Sequence, residues 1–295
     1  MLALMQLIFR YGFLEMQNIP LALADWQYCI LVLATVFIAA GGYIINNIFD
    51  VETDAENKPE NVIVGKFISE TKAYNLYIGC TIIGVAMGFY LSNIINKPSF
   101  ASIFIVIAAT LYFYATSLKQ SLLIGNFIVA LLLSFSVIII GIFDLFPVTT
   151  DENRPFMGLL FGIFLDYAIF AFIINFIREI VKDLQDFEGD SSQGMNTLPI
   201  IFGVKRTVKL VFVLSFIPII CIVYYIKTNL FTSGLIYGTV YGLVFILAPM
   251  LYFTTKIWSA ITTQDFHHLS TVLKWILFFG IFSIVVISLN IKYNA

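Results

Sequence analysis

Eight stretches of this 295-residue chain run almost without charge: Tyr28–Ile48, Ala73–Ile95, Ala101–Ser117, Leu122–Phe143, Phe156–Ile180, Val208–Ile226, Gly234–Phe253 and Thr271–Leu289. At 1.5 Å per residue, about 20 apolar helical residues cross the hydrocarbon layer of a bilayer. Inside that layer every backbone amide must be satisfied within its own segment, so repeated apolar windows specify helices. The expected fold is all-α, a polytopic membrane bundle of about nine transmembrane helices around a central cavity. A shorter apolar stretch, Met1–Phe13, belongs to the ninth span and carries Arg10. Composition agrees: 60% of the residues are hydrophobic and 12% charged, against about 25% charged in soluble domains.

Nothing in the pattern marks a separate soluble domain, so residues 1–295 read as one membrane domain. No basic lead-in precedes a small-residue cleavage site, so no cleavable signal peptide is expected. The net charge of −2 gives little guide to partners, and no nucleic acid is expected. Cys29, Cys80 and Cys221 fall inside apolar runs without ligand spacing and read as small core residues.

Loop charge sets the expected orientation. If the loops after spans 2, 4, 6 and 8 share a side, that side collects Lys58, Lys66, Lys72, Lys119, Arg178, Lys182, Lys205, Arg206, Lys209, Lys256 and Lys274. The other side has Lys97, Arg154, Lys227 and Lys292. The positive-inside rule makes the richer side cytoplasmic.

Two acidic clusters fall on that side. In GGYIINNIFDVETDAENKP, Gly41 to Pro59, residues Asn46, Asp50 and Asp54 are spaced by four and share a face of a continuing helix. After span 6, Asp183, Asp186 and Asp190 follow a similar rule if that helix persists. A short echo, Ile-Ile-Asn at 44–46 and 173–175, hints at two related halves facing a shared cavity. Acids beyond a membrane helix are ordinarily a solvated cap. Two such clusters beside Lys58, Lys66, Arg178 and Lys182 instead suit a magnesium-bridged polyphosphate, since magnesium takes oxygen ligands and bases neutralise the remaining phosphate oxygens.

The run Asn46-Asn47-Ile48-Phe49-Asp50-Val51-Glu52-Thr53-Asp54 resembles the NDxxDxxxD signature of the UbiA-type intramembrane prenyltransferases. Asp186-Phe187-Glu188-Gly189-Asp190 is similar to that family's DxxxD motif, and Gly194–Gly203 to its GxxTLPxxxG run. Asn57–Pro59 and Arg178–Asp183 look most like the digeranylgeranylglyceryl phosphate synthase-like branch. Three departures stand out. Asn47 replaces the motif's first Asp, Asn61 and Val64 stand where that branch has Arg and Ser, and the chain begins where the family's first helix is already under way.

The resemblance implies transfer of a polyprenyl group, geranylgeranyl in that branch, from its diphosphate to an acceptor. The acceptor would be a glycerol-phosphate lipid or an aromatic quinone precursor, and the site would lie at the cytoplasmic face of the cell inner membrane. It implies Mg2+ as cofactor, with Asn46, Asp50 and Asp54 holding one ion and Asp186 and Asp190 another. Asp183 would be a ligand or a support to one. Lys119, Arg178 and Lys182 would grip the diphosphate, with Lys58 and Lys66 behind them, and Lys66 would partly replace the missing Arg. On the residues alone, a divalent-cation transporter remains the competing class. Tyr43, Tyr112 and Tyr114 are candidates to shield a carbocation. Asp166, in mid-span, reads either as a group acting on an acceptor hydroxyl or as a structural acid. His267 and His268 read as ordinary loop residues.

Overall fold

A computed structural model describes residues 1–57 and 59–294, and every regular element of any length in it is helical. Lys58 therefore lies outside the described residues, as does the side chain of Asn61. The helices are α1 (Leu2–Phe9), α2 (Asp25–Phe49), α3 (Val51–Asn57), α4 (Glu70–Ile94), α5 (Ala101–Thr116), α6 (Ile124–Ile140) and α7 (Arg154–Gln185). They continue as α8 (Phe187–Ser192), α9 (Leu198–Phe202), α10 (Val204–Leu214), α11 (Phe216–Tyr225), α12 (Ile236–Tyr241), α13 (Ala248–Ile257) and α14 (Thr263–Asn294). Joined through short π and 3-10 turns, they make eight segments among the described residues that are long and apolar enough to cross a membrane. Each of the eight windows expected from the sequence matches one of them; four lie wholly inside, and the other four overrun one end by one or two residues. The stretch at the N-terminus is shorter, Leu2–Leu14.

One apolar core joins α1, α2, α6 and the first half of α7 through Phe9, Tyr28, Leu31, Ile140, Phe143 and Phe164. A second joins the later half of α7 to α10, α13 and α14 through Ile177, Val181, Val211, Phe253 and Leu273. The 32-residue α7 thus belongs to both cores. Where α4 meets α2 and α5, small residues set the spacing. A Cβ on Gly84 would lie 2.6 Å from Ile38, and one on Gly88 would lie 2.2 Å from Phe104. Such close approach is how membrane helices gain packing when lipid is as apolar as their side chains.

Arg10 is buried rather than drawn toward a membrane surface. Its guanidinium bonds Asp144 at 2.7 Å, the Leu23 carbonyl at 2.8 Å and Glu15 at 3.0 Å, while Asp144 accepts from the Leu23 amide. Tyr28 lies under the guanidinium, 4.5 Å from ring centre to Cζ. Arg10 and Asp144 both sit on π-helical turns, Arg10–Leu14 and Gly141–Leu145.

Two sequence expectations are overturned at this level. Cys29 and Cys221 are exposed and Cys80 is half-buried, all with free thiols, because the outward faces of these helices meet lipid and need no polar side chains. His267 and His268 lie in the opening turns of α14 rather than in a loop, and His268 is 3.0 Å from the Tyr252 hydroxyl.

Candidate active site

Both acidic motifs form where a long helix stops and a short one starts. Asp50 follows the last residue of α2 with φ −97° and ψ 3°, and Asp186 follows α7 with φ −96° and ψ 13°. Each amide still donates to the carbonyl four residues back, Asn46 or Lys182, before the chain turns into α3 or α8. The expected continuous helical face therefore breaks at Asp50 and at Asp186. Electrostatics gives the reason: a carboxylate opposes the negative C-terminal end of a helix dipole and suits the positive N-terminal end of the next. Breaking at the acid moves it, with Glu52 and Asp54 or with Glu188 and Asp190, to the favourable end. The Ile-Ile-Asn echo does not follow this register. Asn46 precedes Asp50 by one turn, whereas Asn175 precedes Asp186 by three and bonds the Ala171 carbonyl within its own helix.

The breaks aim the short helices at each other. α3 packs against α8, and Ser192 of α8 bonds Glu56 of α3. Asp50 accepts from Asn46 and forms an ion pair with Lys119, which sits in the turn between α5 and α6. Lys119 also feels the charge of the buried Asp190. One ammonium thus serves a carboxylate from each motif. Burial pushes that ammonium down to about 8, with Asp190 opposing the shift. Asp183 accepts from Asn126 of α6 at 2.8 Å.

Beside this acidic cluster lies a cavity of about 210 Å3. Asn46, Arg178, Glu179 and Lys182 line its polar end, and Ile38, Ala39, Leu111, Leu132, Leu133 and Phe135 are among its apolar walls. Glu179 pairs with Lys182 at 2.7 Å and Arg178 at 3.6 Å. Two buried polar atoms at this end have no hydrogen-bond partner among the described residues: Asn46 Oδ1, an acceptor, and Arg178 Nε, a donor. Tyr43 and Tyr114 line the cavity, whereas Tyr112 stacks on Tyr77 at 6.3 Å and does not.

The structure thus gathers Asn46, Asp50, Asp54, Asp186, Asp190, Lys119, Arg178 and Lys182 at one end of the bundle. Lys66 is more peripheral: exposed, it donates to the Pro59 carbonyl at 2.6 Å. Asn47 is exposed, and Val64 is buried against Ile45 and Ile48 as an apolar contact. Asp166 lines a separate cavity. Nothing in the sequence marks Asn126, Glu56 and Ser192, because their partners lie on other helices, whereas the pairing of Arg178 with its neighbour Glu179 is legible from their adjacency.

The profile of the UbiA prenyltransferase family matches residues 14–266. The digeranylgeranylglyceryl phosphate synthase of Sulfolobus acidocaldarius is 36% identical over 176 residues, which are 60% of this chain and 58% of the relative. The match therefore spans little more than half of that protein's length. The enzyme of the same name from Methanosphaera stadtmanae is 30% identical over 243 residues, covering 81% of this chain and 79% of the relative. A UbiA homologue from Aeropyrum pernix K1 shares the fold, with a TM-score of 0.70 at 14% identity over 99% of this chain and 97% of that one. A homologue from Archaeoglobus fulgidus solved with DMAPP and Mg2+ has a TM-score of 0.58 at 17% identity, over 96% of this chain and 94% of that one. The profile match runs across most of the chain, and this multi-pass membrane protein belongs to the UbiA prenyltransferase family.

Proposed function

We propose that this enzyme transfers a geranylgeranyl or similar polyprenyl group from its diphosphate to a glycerol-phosphate-type lipid, at the cytoplasmic face of the inner membrane. The observation that carries the proposal is the join of two environments. A cluster of acids bridged by Lys119 stands at the polar mouth of a cavity whose remaining wall is mostly apolar, Thr35 and Ser136 apart. A polyprenyl diphosphate has the same two-part character. Its tail would lie among Ile38, Leu111, Leu132 and Phe135, and its diphosphate at Arg178, Lys182 and Lys119. Arg178 Nε supplies a buried donor for a phosphate oxygen, and guanidinium groups suit planar, multidentate phosphate contacts.

The donor set also fits magnesium. It consists of carboxylate and amide oxygens without thiolate or imidazole, and Asn46 Oδ1 is a buried acceptor with no donor among the described residues. Among the described residues no three His, Cys, Asp or Glu side chains form a ready cage. That is the usual condition for magnesium, which takes one or two carboxylates and fills the rest with phosphate oxygens and water. Asn46, Asp50 and Asp54 would hold one ion and Asp186 and Asp190 another, with Asp183 steadied by Asn126. When bound, the metal neutralises charge that builds on the departing diphosphate. The cationic side chains do the same from fixed positions, so they stabilise the separated charges more than the intact substrate. Tyr43 and Tyr114 line the wall beside the reacting carbon, where aromatic faces can shield the allylic cation.

The acceptor follows from the Methanosphaera and Sulfolobus relatives' shared name and from the motif likeness at Arg178–Asp183. Purified protein incubated with labelled geranylgeranyl diphosphate, Mg2+ and separate acceptors tests the proposal. The acceptors are a prenylglyceryl phosphate, a hydroxybenzoate and a hydroxynaphthoate, and products are identified by mass. A doubly prenylated glyceryl phosphate is expected. A prenylated aromatic ring as the sole product would overturn the acceptor assignment, and no transfer to any of them would overturn the substrate assignment.

A further inference from the structure

A second cavity, of about 250 Å3, lies between α7, α11, α12 and α14. It is remote from the acidic motifs, since Asp166 precedes Asp186 by 20 residues of the same helix, about 30 Å along its axis. Asn229, on its rim, belongs to the π-helical turn Ile226–Phe231 that closes the far end of this span.

The polar groups here form an uneven set. Tyr167 and Ser283 satisfy each other at 2.6 Å. Asp166 makes no hydrogen bond or ion pair among the described residues, and it shares the cavity lining with Tyr167 and Tyr225. No Lys, Arg or His lines the space. A carboxylate at membrane depth without a counter-charge is costly and calls for a cation. Two tyrosine rings beside it add aromatic faces, which also favour cations. A phosphate-headed lipid finds no basic group here. Space for an occupant is built in at Gly280, where a Cβ would have nothing nearer than Phe170 at 3.7 Å.

We propose that this cavity is a binding site for an ammonium-headed lipophile taken from the surrounding bilayer, its head paired with Asp166 beside Tyr225 and its chain lying along the apolar wall. The site is separate from the reaction cavity, and its failure would leave the transferase proposal untouched.

The test uses the purified full-length chain in maltoside micelles and octadecylamine carrying a diazirine in its tail. Saturable labelling is expected on peptides from α7, α11 or α14. Unlabelled octadecylamine should compete at least tenfold better than octadecanol, roughly the scale of one charge-assisted contact. Asp166→Asn should weaken labelling by about the same factor, Asp166→Glu should retain it, and Gly280→Leu should abolish it by filling the space. Prenyl transfer should persist in all three variants. Equal competition by the alcohol would overturn the proposal on the wild-type chain alone, without any variant having to fold. Labelling confined to α2 or α6, undiminished labelling in Asp166→Asn, or no saturable labelling would overturn it as well.

Discussion

Asp50 is placed to matter more than its neighbours, because Asn46 and Lys119 both donate to it and the chain breaks there. Asp50→Asn keeps the side-chain size and the capping geometry while deleting the charge. Electrostatic groups of this kind contribute about 100-fold to 1,000-fold each in rate. Turnover of prenyl diphosphate should therefore fall by about 100-fold or more in Asp50→Asn and in Asp186→Asn, while both proteins insert and melt as the parent does. Rates near the parent's in both variants would end the assignment of these acids to the site. Arg10 and Asp144 answer to a different rule. With exposures of 3% and 0% they are a fully buried ion pair, so removing Arg10 strands Asp144, whereas removing Asp144 leaves Arg10 with Glu15 and Asp25. Arg10→Met alone should destabilise by about 3–5 kcal/mol, Asp144→Leu alone should cost less because Glu15 and Asp25 still face Arg10, and the double replacement should recover most of the larger loss. Thermal melting of the single and double variants in detergent measures it. A double variant as unstable as the singles summed would mean that the two side chains are not energetically coupled, and would overturn the buried-pair reading.

At the scale of helices, the α2–α4 contact depends on what is missing from its surface. A Cβ on Gly84 would meet Ile38 and the Ala34 carbonyl, at 2.6 and 3.1 Å. The carbonyl belongs to a rigid helix and cannot swing aside. Gly84→Val should therefore cost about 1–3 kcal/mol, whereas Gly79→Val, on open surface of the same helix, should cost little. Comparable melting temperatures for the two variants would show that the helices separate freely at this point. The extent of such helices was readable from apolar length alone, because lipid imposes that length on every crossing segment. Their ends were less readable. The spacing of Asn46, Asp50 and Asp54 is equally compatible with a continuing helix and with a stop at Asp50, and only the dipole argument separates them. Motif likeness brought Asp186 and Asp190 into the site together with Asp50. It could not reveal that Asn126 anchors Asp183 from another helix, since nothing in the local pattern of α6 links positions 57 residues apart. Cys29 and Cys221 failed for a physical reason too: inside and outside lose their usual meaning when the solvent is hydrocarbon.

For the molecule as a whole, the unsolved tension is that two carboxylate clusters are driven together at one end of a bundle. In the structure Lys119 and the Glu56–Ser192 contact help to hold α3 and α8 in place, while Asp50, Asp54, Asp186 and Asp190 bring four carboxylates to the same end. Magnesium alone finds few ligands in any one place among the described residues, and a diphosphate alone meets more acids than bases. Each therefore needs the other, and their binding should be strongly coupled. A ligand that binds the folded state stabilises it by about 2.7 kcal/mol at one hundred times its dissociation constant. Adding Mg2+ and a non-reactive geranylgeranyl diphosphate analogue together should raise the melting temperature well beyond the sum of their separate effects. EDTA should return the protein with analogue to its starting value. In Lys119→Ala the unliganded protein should melt lower, because the acids lose their resident counter-charge, while the jointly liganded protein should recover most of the difference. Strictly additive shifts in the parent would mean that metal and diphosphate occupy independent sites, and the two motifs would then have to be assigned separate roles.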